Sequence, residues 1–134
     1  MTRMASAYIV ALVVFAGLDF VWLAYIARDF YRSQLGGLLA EKPLLVPALA
    51  FYLLFVLGLT IFGVAPALKD QSWRTALVQG AMFGFFAYAT YDLTNLATLK
   101  DWPMALSLAD LAWGTMVAGV ASLCGYLAAS AMSG

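Results

Sequence analysis

Residues 5–27, ASAYIVALVVFAGLDFVWLAYIA, carry a single charged side chain, Asp19, in an otherwise apolar run. As a helix such a stretch is roughly 34 Å long, enough to cross a hydrocarbon core of about 30 Å. The run begins after Met1-Thr2-Arg3, which resembles the charged start of a signal peptide. It is longer than a 7–15-residue signal core and contains an acid, so an uncleaved span is expected.

Three further stretches repeat the pattern. Residues 44–64 lie between Pro43 and Pro66, with Pro47 in the first turn, where a missing N–H costs little. Residues 75–99 contain Gly80-x-x-x-Gly84, a spacing that lets two helix backbones approach closely. Residues 104–131 place Gly114, Ala118, Ala121 and Gly125 along one stripe. The expected fold is an all-α integral membrane protein, a single domain over 1–134 in which four transmembrane helices run up and down as a bundle. The connection over 28–42 is the most charged stretch, with Arg28, Asp29, Arg32, Glu41 and Lys42, and holds the Gly36-Gly37 pair. Its Phe30, Tyr31, Leu35, Leu38 and Leu39 have amphipathic spacing, and a loop resting at the headgroups is the simpler expectation.

Composition supports this class and excludes others. The chain is 65% hydrophobic and 10% charged, with a mean hydropathy of +0.92 and no net charge. Soluble domains hold about 25% charged residues. Scattered bases give no footprint for nucleic acid and no polybasic lipid-binding cluster, and four spans leave little chain for a soluble catalytic module. The lone Cys124 precludes an intrachain disulfide. With no histidine, the usual zinc, haem and copper ligand sets cannot be assembled, so no cofactor is expected and any metal would meet oxygen ligands. Arg3, Lys69 and Arg74 fall on one side of the membrane, and Arg28, Arg32, Lys42 and Lys100 on the other. The positive-inside rule then leans toward a cytoplasmic first connection, with both termini outside.

Three acids stand out, because Asp19, Asp92 and Asp110 fall inside these stretches with no Lys, Arg or His in any of them. An aspartate at the centre of a membrane helix is disfavoured by roughly 2.5–3.5 kcal/mol, so each needs partners, a proton or a cation. In an up-down path, Asp19, Tyr52, Asp92 and Asp110 all lie roughly 10–14 Å from the same membrane face at about 1.5 Å per residue. Thr94 and Asn95 lie about a turn shallower and Tyr88 about a turn deeper, and Tyr88, Asp92 and Asn95 share a helix face. The candidate site is therefore Asp19, Tyr52, Tyr88, Asp92, Asn95 and Asp110, pointing inward. Three carboxylates in such a layer cannot all stay ionised without compensation, so at least one holds a proton or meets a cation.

Plainer readings compete at each position. Ser107-x-x-Asp110 resembles a helix cap, which would place Asp110 in the first turn of a helix starting near Ser107. Asp92 could end the third helix early, leaving residues 93–99 irregular. Asp19 could serve only as an interhelical hydrogen-bonding group. Trp22 and Trp113 each follow an aspartate by three residues, so Asp-x-x-Trp occurs in the first and last helices. They suit either a wall for the site or interfacial anchors, and Trp102 suits an anchor best. Gly80, Gly84, Gly114 and Gly125 are read as helix-packing positions.

The segments LDFVWL over 18–23, YATYDLTNLAT over 88–98 and DLAWG over 110–114 resemble an uncharacterised bacterial family, the domain-of-unknown-function group numbered twenty-one seventy-seven. The resemblance covers essentially the whole chain. It implies a small four-helix protein of the bacterial inner (plasma) membrane, multi-pass and in contact with the lipid bilayer, and it brings no assigned activity or catalytic residue.

Three function classes follow. The first is a carrier or pore-like binding protein whose acid layer takes a proton, a metal cation or the cationic head of a small ligand, assembled as a homo-oligomer through the glycine stripes. Asp92 would be the principal carboxylate. The second is a non-catalytic accessory or structural subunit with a membrane-protein partner, its aspartates protonated and acting between helices. An intramembrane lipid-modifying enzyme comes third, because no His or Lys lies near the acids and no phosphate-cradling or metal-ligand spacing is present.

Overall fold

The computed structural model describes residues 2–40, 42 and 44–132. The expectations that touch Met1 and Pro43, a signal-like start and a proline before the second apolar run, lie outside the described residues. Helix α1 (Thr2–Val21) continues through a widened π-turn, Trp22–Ile26, and a short helix α2 (Arg28–Leu35) follows after a kink at Ala27. Helix α3 (Leu45–Leu59) passes through a second π-turn, Thr60–Val64, into α4 (Ala65–Asp70), and α5 (Trp73–Thr98) and α6 (Met104–Ala131) complete the chain. There is no strand among the described residues.

Three of these rods, Thr2–Ile26, Leu45–Asp70 and Met104–Ala131, are long and apolar enough to cross a membrane. Helix α5 matches them at 26 residues but carries Gln79, Thr90, Asp92, Thr94, Asn95 and Thr98, which make it the least apolar of the four. Local sequence explains the ends. Gln71 adopts a left-handed conformation (φ 53°) that stops α4, and Ser72 then caps α5 by accepting the Thr75 N–H at 3.3 Å. Asp101, with φ 65°, makes the tight turn between α5 and α6, a conformation that aspartate tolerates better than most residues.

The structure corrects several expectations. The second apolar rod does not stop before Pro66 but runs on to Asp70, with Pro66 near the start of α4. The π-turn makes this possible: the Ala65 N–H reaches back five residues to Thr60 O, so the helical ladder is already shifted where proline lacks a donor. Helix α6 begins at Met104 with no side-chain cap, so Asp110 lies in its second turn and the Ser107 cap is not formed. Of the competing plainer readings, an early end at Asp92 is likewise not seen, since α5 continues to Thr98. Residues 28–35, expected as loop, form α2, because Phe30, Tyr31, Gln34 and Leu35 recur at helical spacing and turn half-buried toward the core.

Helix α6 is the hub. It packs most extensively on α5 and next on α1, with lesser contacts to α2 and α4. Gly80 and Gly84 of α5 press against its Gly114, Ala118 and Ser122 stripe: a Cβ at Gly84 would overlap Ala118 Cβ and Gly114 O, and one at Gly80 would sit 3.0 Å from Ala118 O. On the α1 side, a Cβ at Gly125 would sit 3.0 Å from Ala7 O. Gly80, Gly84, Gly114 and Gly125 thus all meet neighbours within one chain. Phe15, Phe55, Val56, Leu59 and Val117 fill the space between α1, α3 and α6.

Gly84→Ala should force α5 away from α6 and cost about 1–3 kcal/mol, the usual penalty of overpacking, read as earlier unfolding in detergent. Gly17→Ala is the control: its added methyl group meets no atom within 4 Å, and the change should gain roughly 0.5–1 kcal/mol from helix propensity.

Candidate functional site: a crossed aspartate–tryptophan layer

Asp19 lies in the last turn of α1 on the face that meets α6 and is only 6% exposed. Both of its oxygens are engaged. Oδ1 accepts the Trp113 indole N–H at 3.0 Å, and Oδ2 accepts the Tyr52 hydroxyl of α3 in a short hydrogen bond. A carboxylate with two aligned donors can remain charged in an apolar setting where a bare one cannot.

Asp110 is reached from the opposite direction. The Trp22 indole N–H donates to the Tyr31 hydroxyl at 3.1 Å, and that hydroxyl donates to Asp110 Oδ1 at 2.7 Å. Burial pushes the Tyr31 phenol above its ordinary range; the Trp22 N–H opposes the shift and the Asp110 carboxylate reinforces it. Tyr31 therefore stays protonated and acts as the donor. Between the two acids, the rings of Trp22 and Trp113 stack with centroids 4.5 Å apart and planes 6° from parallel. The two Asp-x-x-Trp segments thus cross: the α6 tryptophan serves the α1 aspartate, and the α1 tryptophan serves the α6 aspartate through Tyr31.

Asp92 differs from both. It is 1% exposed on α5, facing α6, and neither carboxyl oxygen has a hydrogen-bond partner. The Asp110 carboxyl stands within hydrogen-bonding reach. Ionised carboxylates only accept, so the two acids meet as acceptor against acceptor, and the arrangement is chemically complete only when a proton or a cation is shared between them. The nearby Ser107 hydroxyl is committed elsewhere: it accepts the Trp102 indole N–H at 2.9 Å and lies 3.4 Å from the Asp92 carbonyl. Among the described residues, no group of three or more His, Cys, Asp or Glu is placed to hold a metal ion.

Two cavities share Tyr91 and Asp110 in their walls. The larger, about 280 Å³, is lined by Asp19, Phe51, Tyr88, Tyr91 and Asp110. The smaller, about 170 Å³, lies under α2 and is lined by Tyr31, Tyr91, Asp92, Trp102, Leu106 and Asp110. A more voluminous apolar groove between α5 and α6, about 530 Å³, has Leu77, Phe85, Leu108 and Met116 in its walls and lies away from the acids.

Of the residues singled out in the sequence, Asp19, Tyr52, Trp22, Trp113 and Asp110 join one hydrogen-bonded and stacked assembly, and Asp92 abuts it through Asp110. Tyr88 packs its ring directly over Gly114 and lines the larger cavity. Asn95 lies within hydrogen-bonding reach of the Tyr91 hydroxyl instead of the acids, and Thr94 is exposed. Trp102 is half-buried and turned toward Ser107. Sequence reasoning missed Tyr31 and Tyr91 as site residues. The helical spacing of Phe30, Tyr31 and Leu35 was the available signal for Tyr31, and Tyr91 had none beyond its place beside Asp92.

Trp113→Phe keeps a ring in the stack but leaves Asp19 with one donor. It should cost about 1.5–3 kcal/mol, the usual worth of a hydrogen bond to a charged group, read from unfolding midpoints in detergent beside Trp102→Phe, which removes a donor only from a serine.

No curated protein and no solved structure matches the chain. The family model described as a predicted membrane protein, DUF2177, matches residues 4–127, and the chain belongs to that family.

Proposed function

We propose that the protein is a four-span, up-and-down bundle of the bacterial inner membrane whose acid layer binds a proton or small cation, with Asp92 and Asp110 as the exchanging pair. The observation that carries this reading is Asp92, fully enclosed, with both oxygens lacking donors and another carboxyl in front of it. A purely structural aspartate would be expected to resemble Asp19, with each oxygen answered by a donor. Two carboxyls within reach of one another hold one proton between them near neutral pH, and a cation that displaces the proton leaves the charge of the site unchanged. That is the elementary step of a proton-coupled carrier.

The length of α5 and its extensive packing on α6 support counting it as a fourth span, with Asp92 buried on the side that meets α6. Asp19, whose oxygens accept from Tyr52 and Trp113, lies beside the pair in the wall of the adjoining cavity. The accessory-subunit reading has no comparable support, since glue between helices would pair the oxygens of Asp92 within the chain.

Infrared spectroscopy of the purified protein should show a protonated carboxyl C=O band at neutral pH that disappears in Asp92→Asn, while Asp19→Asn leaves it in place. If Asp92→Asn retains the whole band, the shared-proton pair is wrong. In liposomes, both Asp92→Asn and Asp110→Asn should abolish proton-coupled cation flux with normal expression and folding.

A further inference from the structure

The small cavity beneath α2 gives the exchanging pair a ligand class. Its walls combine the two facing carboxyls of Asp92 and Asp110 with three aromatic groups, Tyr31, Tyr91 and Trp102, and the aliphatic Leu106. Asp92 supplies the observation independent of the acid cluster itself: a carboxyl 1% exposed, with no partner on either oxygen, lining this cavity. Its ligand must therefore bring hydrogen-bond donors as well as positive charge. An alkali cation brings charge but no donors. A quaternary ammonium suits aromatic walls but offers no N–H. A primary ammonium offers three N–H donors, charge, and a short alkyl part for the aromatic and leucine surfaces. At roughly 30 Å³ per water, about 170 Å³ accommodates about six water volumes, the scale of an ethyl- or propylammonium ion.

Resting on the reading of Asp92 and Asp110 as the exchanging pair, we infer that this cavity binds a small primary ammonium group, R–NH3+, between the two carboxyls, in exchange for the proton they share. The step balances: one ammonium enters, one proton leaves to water, no covalent bond changes beyond the O–H lost from the pair, and the net charge of the site stays constant. The groups facing the pair are Tyr31 of α2, Tyr91 of α5 itself, and, in the adjoining cavity, Asp19 of α1 and Tyr88 of α5, with Tyr52 of α3 held on Asp19. The charged residues Arg28, Asp29 and Arg32 of α2 and Lys100 and Asp101 of the α5–α6 turn are exposed. Tyr31, hydrogen-bonded to Asp110 from α2, is the roof of the cavity and a positioning residue for the bound group.

The chemistry is the same whether the ammonium belongs to a free amine or to an aminophospholipid headgroup. The test uses purified full-length protein in weakly buffered, lipid-free detergent near neutral pH. Ethylammonium chloride should raise the unfolding midpoint and release about one proton per protein, whereas tetramethylammonium and sodium chloride at the same concentration should do neither. Asp92→Asn should abolish both effects. Tyr31→Phe should weaken binding about tenfold, the worth of one hydrogen bond to a charged acceptor, while still releasing a proton at saturation. In nanodiscs, a phosphatidylethanolamine fraction that raises the midpoint relative to pure phosphatidylcholine and blunts the response to ethylammonium assigns the group to lipid; an undiminished response assigns it to a free amine. A sodium response without an ethylammonium response overturns the ammonium assignment and leaves the cation site standing. No response to any cation, with the Asp92-dependent carboxyl band intact, also overturns it and leaves only proton binding. Loss of that band in the unsubstituted protein removes the exchanging pair itself.

Discussion

The structure depends on how an apolar helix assembly keeps a carboxylate supplied with donors. Asp19 obtains its two from other helices, Tyr52 of α3 and Trp113 of α6, so the hydrogen bonds that satisfy it also fix the relative heights of three elements. The stacking of Trp22 on Trp113 locks the same level a second time and carries the second tryptophan to Tyr31 and Asp110. Apolar packing alone is permissive about sliding when lipid tails are as apolar as leucine. Directed bonds to buried acids are not, and they set the register on which the glycine contacts of α5, α6 and α1 then close.

The same constraint separates acids that are supplied with donors from one that is not. Asp19 is saturated by side chains of the chain, Asp110 is half-satisfied through Tyr31, and Asp92 has nothing but another acceptor before it. This gradient runs from α1 across α6 to α5, toward the cavity roofed by α2. Donors are preorganised at one end of the gradient and lacking at the other.

Much of this was legible in the sequence. The long apolar stretches announced the helical rods, Asp19, Asp92, Asp110 and Tyr52 stood out as lone polar groups within them, and the repeated Asp-x-x-Trp was visible as a pattern. Its crossing was not, because which tryptophan serves which acid depends on the antiparallel alignment of α1 and α6, which spacing along one strand of sequence cannot specify. Pro66 misled because proline normally marks an end, and the widened turn before it has no sequence signature of its own. Residues 28–35 looked like a surface segment because charges alternate with their apolar positions; the tertiary bond from Tyr31 to Asp110 is what seats them. Asn95 shares a face with Asp92 by periodicity, yet its amide is nearer the Tyr91 hydroxyl on its own helix.

The π-turn over Trp22–Ile26 ties these threads to the backbone. A widened turn accommodates one more residue than an α-turn, so tightening it to regular α-helix would rotate everything that follows by about 100° about the helix axis. Trp22 would stay on its stack, but Tyr31 would swing away from Asp110 and take the roof of the small cavity with it. The Ala27 N–H to Trp22 O hydrogen bond at 2.7 Å thus holds α2 at the angle from which Tyr31 reaches Asp110.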